Sequence, residues 1–293
     1  MLSPELSVVT LVRGRRGQLR NMLRGLRQSD LLPAEVIVAA MDELQPEELA
    51  PLDLPFPVNV VRVRPSGASV LPLAAARNAA VARARHDDIV MLDVDCIPAP
   101  DALELLHGAV QQHGGVVMGD VRYLPRDAVQ DDFEVAALDQ LAVRHPRRPH
   151  LNDGELLPAP AYHLLWTLCL AFDRATYQGV GGLDEQYDGY GAEDTDFAFA
   201  LREAGEPFHL LGARVYHQYH PVYRPPIGLL RDIAGNARVF RRKWGVWPME
   251  GWLAAFEELG LIRWDRTGTR LEVLRDPTQS ELDAAFRDDG RGF

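Results

Sequence analysis

Cysteine is scarce in this chain. Cys96 and Cys169 are the only two among 293 residues, which excludes a disulfide scaffold and a thiolate zinc site and fits a reducing compartment. Long apolar runs are missing too. The longest candidate, LLWTLCLAF at 164–172, is about half of the roughly 18 residues a membrane-spanning helix needs, and it suits a buried strand. The N-terminus, MLSPELSVVTLVRGRR, puts its apolar run before its positive charge, the reverse of a signal peptide. Positive charge is in deficit: 31 Lys and Arg against 42 Asp and Glu give a net charge of −11. A surface of that sign makes a poor general nucleic-acid binder. It leaves room for a phosphorylated small molecule, because a metal ion can reverse the local sign. Lys243 is the one lysine. A cytoplasmic protein is the expectation.

What is present has an ordinary globular composition, 47% hydrophobic and 25% charged, with length for one large α/β domain or two small ones. Leu6–Val12 (LSVVTLV) reads as a buried strand, and Leu19, Met22, Leu23 and Leu26 then recur at helical spacing. Glu35–Ala40 and residues 58–63 read as further strands, residues 73–85 as an alanine-rich helix, residues 89–92 as a fourth strand, and 115–119 as a fifth. Asp101 is placed to cap the helix that follows it. This rhythm predicts a doubly wound, mainly parallel sheet, in which ligands bind beyond the carboxyl ends of the strands. Thr10–Arg13, Asp42 and Asp93–Asp95 fall at those ends. Residues 125–160 read as helix plus long loop, 164–172 as a strand, 179–194 as a glycine-rich acidic loop, 195–204 and 227–260 as helix, and the stretch from Asp276 as a loosely held tail.

Four constellations could carry chemistry. Asp93-Val94-Asp95 follows IVML directly; alternation along a strand would aim both carboxylates one way, and a hard divalent cation is the usual answer to their repulsion. Glu193 and Asp194 end a glycine-rich approach and open a helix. There an acid can cap free N–H groups, or stay ionised and accept a proton from a hydroxyl, and the two roles are compatible. His217 and His220 could supply a further ligand in company with Asp93 and Asp95. Cys96 reads as a small buried residue. Arg77-Asn78 alone reads as a solvent-facing polar pair.

In this order, LSVVTLV, EVIVAAMDE, LAAARNAAVARARHDDIVMLDVDCIP, CLAFDRATYQGVGGLDEQYDGYGAEDTDFAFALREAG and VYHQYH resemble the family 2-type glycosyltransferases of the GT-A fold. The second half is similar to the galactosyltransferase-like module shared with chondroitin-polymerase-like and polypeptide N-acetylgalactosaminyltransferase-like enzymes. The resemblance covers roughly residues 5–225 and implies a GT-A domain over 1–225, with a nucleotide-sugar-binding half at 1–120 and an acceptor half at 121–225. A small helical C-terminal extension at 226–293 would follow. It implies an inverting, metal-dependent transfer from a nucleotide-sugar, usually a UDP-sugar, with Mn²⁺ or Mg²⁺, to a glycan, lipid-linked or small-molecule hydroxyl. Carried over by position, Asp93, Asp95 and His217 would hold the metal, and Thr10, Arg13, Asp42 and Arg77 would line the nucleoside and phosphate pocket. Asp194 would be the base and Glu193 would contact a sugar. Three departures stand out: Met41-Asp42-Glu43 replaces the usual double acid, Arg13-Gly14-Arg15-Arg16 is unusually basic, and Tyr190 stands where relatives often have tryptophan. A nucleotidyltransferase of similar fold and a non-catalytic nucleotide-sugar-binding module are the competing readings. Arg231, Arg238, Arg241, Arg242 and Lys243 lie near Trp244, Trp247 and Trp252, a mixture that suits peripheral membrane contact or a subdomain packing its tryptophans inward.

Overall fold

The computed structural model describes residues 5–64 and 71–290; the ends of the expected 1–225 and 226–293 units, at 1–4 and 291–293, lie outside the described residues. In chain order the elements are β1 Leu6–Val12, α1 Arg16–Arg27, β2 Glu35–Ala40, β3 Val58–Arg62, α2 Leu73–Arg83, β4 Asp88–Leu92, β5 Cys96–Pro98, α3 Ala102–His113 and β6 Val116–Tyr123. Then come α4 Val135–Leu138, β7 Val143–Arg144, β8 Leu156–Pro158, β9 Cys169–Asp173, α5 Arg174–Gly179, α6 Glu193–Ala204 and β10 Phe208–His217. The chain ends with β11 Val222–Tyr223, α7 Leu230–Trp244, α8 Glu250–Glu258, β12 Ile262–Trp264, β13 Leu271–Val273, α9 Gln279–Ala285 and β14 Phe286–Arg287.

The central sheet runs β3-β2-β1-β4-β9-β6-β10-β5. Its first four strands are parallel, and β9 then enters antiparallel between β4 and β6. Every residue of β1 is buried, because the sheet is covered on both faces. Val8 and Val12 face one core, with Leu19, Leu23 and Leu26 of α1; Val9 and Leu11 face the other, with Ala76 and Ala80 of α2 and Phe197 of α6. The Leu19–Leu26 spacing puts one stripe of α1 on the sheet.

Four local expectations need correction. Asp101 sits at the start of α3 without a side-chain cap bond; its carboxylate instead meets Arg214 at 3.5 Å. Of 164–172, only the part from Cys169 pairs as strand, and Tyr162–Leu164 is a 3-10 turn. Asn78 and Arg77 do not face solvent: Arg77 is buried, and Asn78 holds the 183–185 loop by bonds to Leu183 and Glu185. The stretch from Asp276 is no loose tail. Thr278 and Glu281 form a capping box on α9, and β14 pairs with β11.

Ion pairs tie segment 125–160 to the sheet. Arg122 of β6 reaches Asp120 at 2.9 Å and Asp139 at 2.7 Å, and Arg214 of β10 reaches Asp139 at 3.5 Å and Asp153 at 3.3 Å. The C-terminal part has its own small core around Ile233, Leu253 and Phe256. Its junction with α6 is polar and buried: Asp196, 1% exposed, accepts from Tyr187 at 2.9 Å, Lys243 at 2.9 Å and Trp244 Nε1 at 2.6 Å. Trp247 is also turned inward and donates to the Asp265 carbonyl. Among the described residues no helix is long and apolar enough to cross a membrane.

Candidate active site

The acid pair leaves its strand before it can alternate. Cys96 N–H donates to the Asp93 carbonyl at 2.9 Å, closing a turn over residues 93–96. The two carboxylates therefore part, and each meets a different partner. Asp95 is met by β10: its strand end lies antiparallel to β5, with His217 opposite Cys96, and Gln218 N–H donates to the Asp95 carbonyl at 2.7 Å. That register brings His217 Nε2 and His220 Nε2 each to 3.5 Å from an Asp95 carboxylate oxygen. One ligand atom from each of the three lies within 4.8 Å of the others. Arg15, from the basic first loop, also donates to Asp95.

Asp93 is met by α2. Arg77 donates to Asp93 Oδ1 at 3.0 Å and to Glu193 Oε1 at 3.3 Å, so one buried guanidinium joins the turn after β4 to the start of α6. Beside it, Asn78 Oδ1 accepts from Tyr177 at 2.6 Å and from Leu183 N–H at 3.1 Å. The glycine-rich loop closes over this helix; Gly182 has φ +68, and a Cβ there would stand 2.9 Å from Asn78 Oδ1. The loop then delivers α6, with Ala192 in the left-handed region at φ 73 before the first turn. Glu193 turns inward to Arg77 and accepts Gly191 N–H at 3.1 Å. Asp194 lines the cavity and accepts Thr195 N–H at 2.7 Å.

Burial dominates the acids and their neighbours divide them. Burial raises Glu193 to about 7, with repulsion from Asp194 adding and Arg77 opposing. Burial also raises Asp93 against the pull of Arg77, and Asp194 against its bonds from Thr195. Asp95 goes the other way: burial is outweighed by His217, His220 and Arg15, and its carboxylate stays well below the usual range. Burial lowers His217, which keeps a lone pair free; its buried Nδ1 has no hydrogen-bond partner among the described residues. An ionised carboxylate beside two imidazole nitrogens is a donor set that fits a divalent cation such as Mn²⁺.

These groups share one cavity of about 1060 Å³. Arg13, Arg77, Asp93, Asp95, Glu193, Asp194 and His217 all line it. Thr10 and Asp42 do not: Thr10 is buried within β1, and Asp42 fixes the first loop by accepting Gly14 N–H at 2.5 Å and Arg16 at 2.9 Å. On the far wall stand His145 and Arg147 from the segment read only as helix plus loop, Trp166 from the stretch read as a strand, and Met249 and Trp252 from α8 and its approach. Sequence reasoning missed these. The run HPRRPH at 145–150, basic and aromatic in an acidic chain, was the available signal.

The glycosyltransferase family 2 model matches residues 58–155, and the model described as the N-terminal domain of galactosyltransferase matches the adjoining residues 155–221. The chain has the GT-A glycosyltransferase fold. Solved GT-A structures similar to it include GalNAc-T7 with UDP, GalNAc and Mn²⁺, at TM-score 0.56 and 17% identity over 80% of this chain and 47% of that one. They also include S. aureus TarS 1-349, at 0.53 and 15% over 79% and 64%, and the same protein in complex with UDP, at 0.52 and 16% over 79% and 64%. This GT-A chain thus spans about half the length of the first and under two thirds of the others. Comparison of the sequence with curated proteins found no match.

Proposed function

We propose that the protein transfers a sugar from a nucleotide-sugar, with UDP as the nucleotide, to an acceptor hydroxyl, with inversion and with a divalent metal. One observation carries this reading. The Asp95–His217–His220 trio and Asp194 at the start of α6 line the same cavity. The UDP and Mn²⁺ bound to GalNAc-T7 and the UDP bound to TarS support the choice of nucleotide and metal.

In this mechanism Asp95, His217 and His220 hold the cation, with Asp93 beside them; Arg13 and the apolar Leu11 and Met41 receive the nucleoside. The metal, when bound, neutralises charge that grows on the leaving diphosphate. Arg77 keeps Asp93 and Glu193 in place, and Glu193 faces a sugar. Asp194 accepts the proton as the acceptor oxygen attacks the anomeric carbon from the face opposite the diphosphate. The carbon–oxygen bond to phosphate breaks and its electron pair leaves with the diphosphate. A positioned base of this kind is worth about 10²–10⁴ in rate, and alignment of the two substrates supplies much of the rest.

The test is thermal stabilisation by UDP with and without Mn²⁺, followed by a screen of UDP-sugars for UDP release. Stabilisation that requires both UDP and Mn²⁺ is expected. No response to any nucleotide in either condition overturns the reading.

A further inference from the structure

Beyond residue 221, where the second family match ends, α7 reaches back to the loop that leads to the proposed base. Three consecutive residues of that loop meet it or the turn that follows it. Asp232 accepts Tyr190 N–H at 3.3 Å. Asn236, one turn further along α7, donates from Nδ2 to the Gly191 carbonyl at 2.9 Å. The approach leaves no room for side chains. A Cβ at Gly189 would collide with the Asp232 carboxylate, and one at Gly191 would stand 2.9 Å from Met249 Sδ, just ahead of α8. Both glycines also have positive φ, +81 and +98. The Gly-Tyr-Gly pattern at 189–191 thus serves a close approach to the C-terminal helices.

Asn236 is an unexpected residue for its place. It is 3% exposed, on the same face of α7 as the buried Ile233, Ala237 and Phe240, and asparagine is a poor helix former. Its amide there does what an apolar side chain cannot. The carbonyl it binds belongs to the peptide between Gly191 and Ala192, and φ at Ala192 is measured from the plane of that peptide. Ala192 is left-handed, at φ 73, a conformation unfavourable for a residue with a Cβ. The Ala192 carbonyl accepts Asp196 N–H at 2.8 Å as α6 begins, and Gly191 N–H is taken by Glu193 at 3.1 Å. One peptide plane, pinned by Asn236, therefore fixes the direction in which α6 starts, and with it Asp194, two residues on.

We propose that Asn236 and Asp232 are positioning residues for the transfer: by holding Gly191 and Tyr190 they aim the Asp194 carboxylate at the acceptor hydroxyl. This rests on the assignment of Asp194 as the base. Neither side chain lines the cavity, whereas Tyr190, Gly191, Ala192 and Asp194 all do, so the two act through the loop. The Asp95–His217–His220 trio is carried by other elements, the turn after β4 and the end of β10. A misdirected base thus loses rate and leaves nucleotide binding intact.

The test is a double-mutant cycle on the full chain. Asn236→Leu keeps the volume and removes the donor. Asp232→Ala, at a half-buried position, carries the same test if the first variant does not fold. Each is made in the wild type and in Asp194→Asn. UDP release is followed with the UDP-sugar that turns over in the screen, and binding of UDP with Mn²⁺ is measured in parallel. Each variant should bind UDP with Mn²⁺ as the wild type does and lose about 10–100-fold in kcat, with KM for the UDP-sugar unchanged. In Asp194→Asn neither should lower the rate further, because the group they aim is gone. Adding Ala192→Gly to Asn236→Leu relieves the left-handed position of its Cβ and should restore part of the lost rate. An undiminished kcat in the folded variants overturns the proposal. An equal fold-loss in the two backgrounds also overturns it, since that is the mark of a merely structural role. Full turnover in Asp194→Asn itself removes the base assignment, and the positioning claim with it, a result distinct from the other two.

Discussion

Replacing Arg77 by methionine would leave two buried carboxylates facing each other across the gap it fills. Arg77 is 4% exposed and bonds Asp93 at 3.0 Å and Glu193 at 3.3 Å. Removing one partner of a buried ion pair costs about 3–5 kcal/mol, because a charge stays behind without its counterion. At about 2–4 °C per kcal/mol for a large domain, the midpoint of unfolding should fall by about 10 °C at pH 7.5. The loss should depend on pH in a definite direction. Glu193 stands at about 7 in the folded chain against an ordinary 4.5, so the folded protein keeps a proton that the unfolded one releases. Stability therefore falls as pH rises from 4.5 towards 7 even in the wild type. Without Arg77 both Asp93 and Glu193 would move higher, so the folded variant would take up protons at a higher pH than the folded wild type and should recover part of its deficit between pH 7.5 and 5.5. Differential scanning calorimetry of both proteins at the two pH values measures this. A deficit that is absent, or equal at both, refutes the claim that Arg77 holds two ionised acids.

Three further outcomes are expected. Asp95→Ala and His220→Ala should each abolish the Mn²⁺-dependent part of UDP stabilisation while UDP alone behaves as in the wild type; a full Mn²⁺ response in His220→Ala would return the ligand role to Asp93. Asp194→Asn should bind UDP and Mn²⁺ normally and lose about 10²–10⁴-fold in transfer rate, so wild-type turnover in that variant places the base elsewhere. Asp196→Ala should lower stability by about 2–4 kcal/mol, since Lys243, Trp244 Nε1 and the Tyr187 hydroxyl lose their shared acceptor; an unchanged denaturation midpoint in urea would contradict it.

The core strands could be read from sequence because burial on both faces writes itself as unbroken runs: LSVVTLV and EVIVAA end where expected. The acids could be read because turn and helix starts carry local signals. What the sequence hid was direction. Asp93 and Asp95 look like strand neighbours, and only the turn bond from Cys96 sends one to Arg77 and the other to the histidines. Arg77 looked like surface because no local pattern marks a cation whose partners lie 16 and 116 residues away. The far wall was hidden for the same reason. Residues 143–148 have no periodicity, and long-range ion pairs from Arg122 and Arg214 to Asp139 and Asp153 fasten their segment to the sheet. Tertiary structure, not propensity, sets such segments.

Asp196 bears on how this chain could be re-engineered. The two adjoining family matches together end at residue 221, and a chain trimmed to that border would look complete on paper. It would keep Asp196 and Tyr187 in α6 and its loop and discard Lys243 and Trp244, exposing a carboxylate built to be enclosed two residues from the proposed base. Exchanging the C-terminal piece with that of a relative meets the same obstacle: the graft must bring its own cation and indole to positions 243 and 244, or position 196 must change with it.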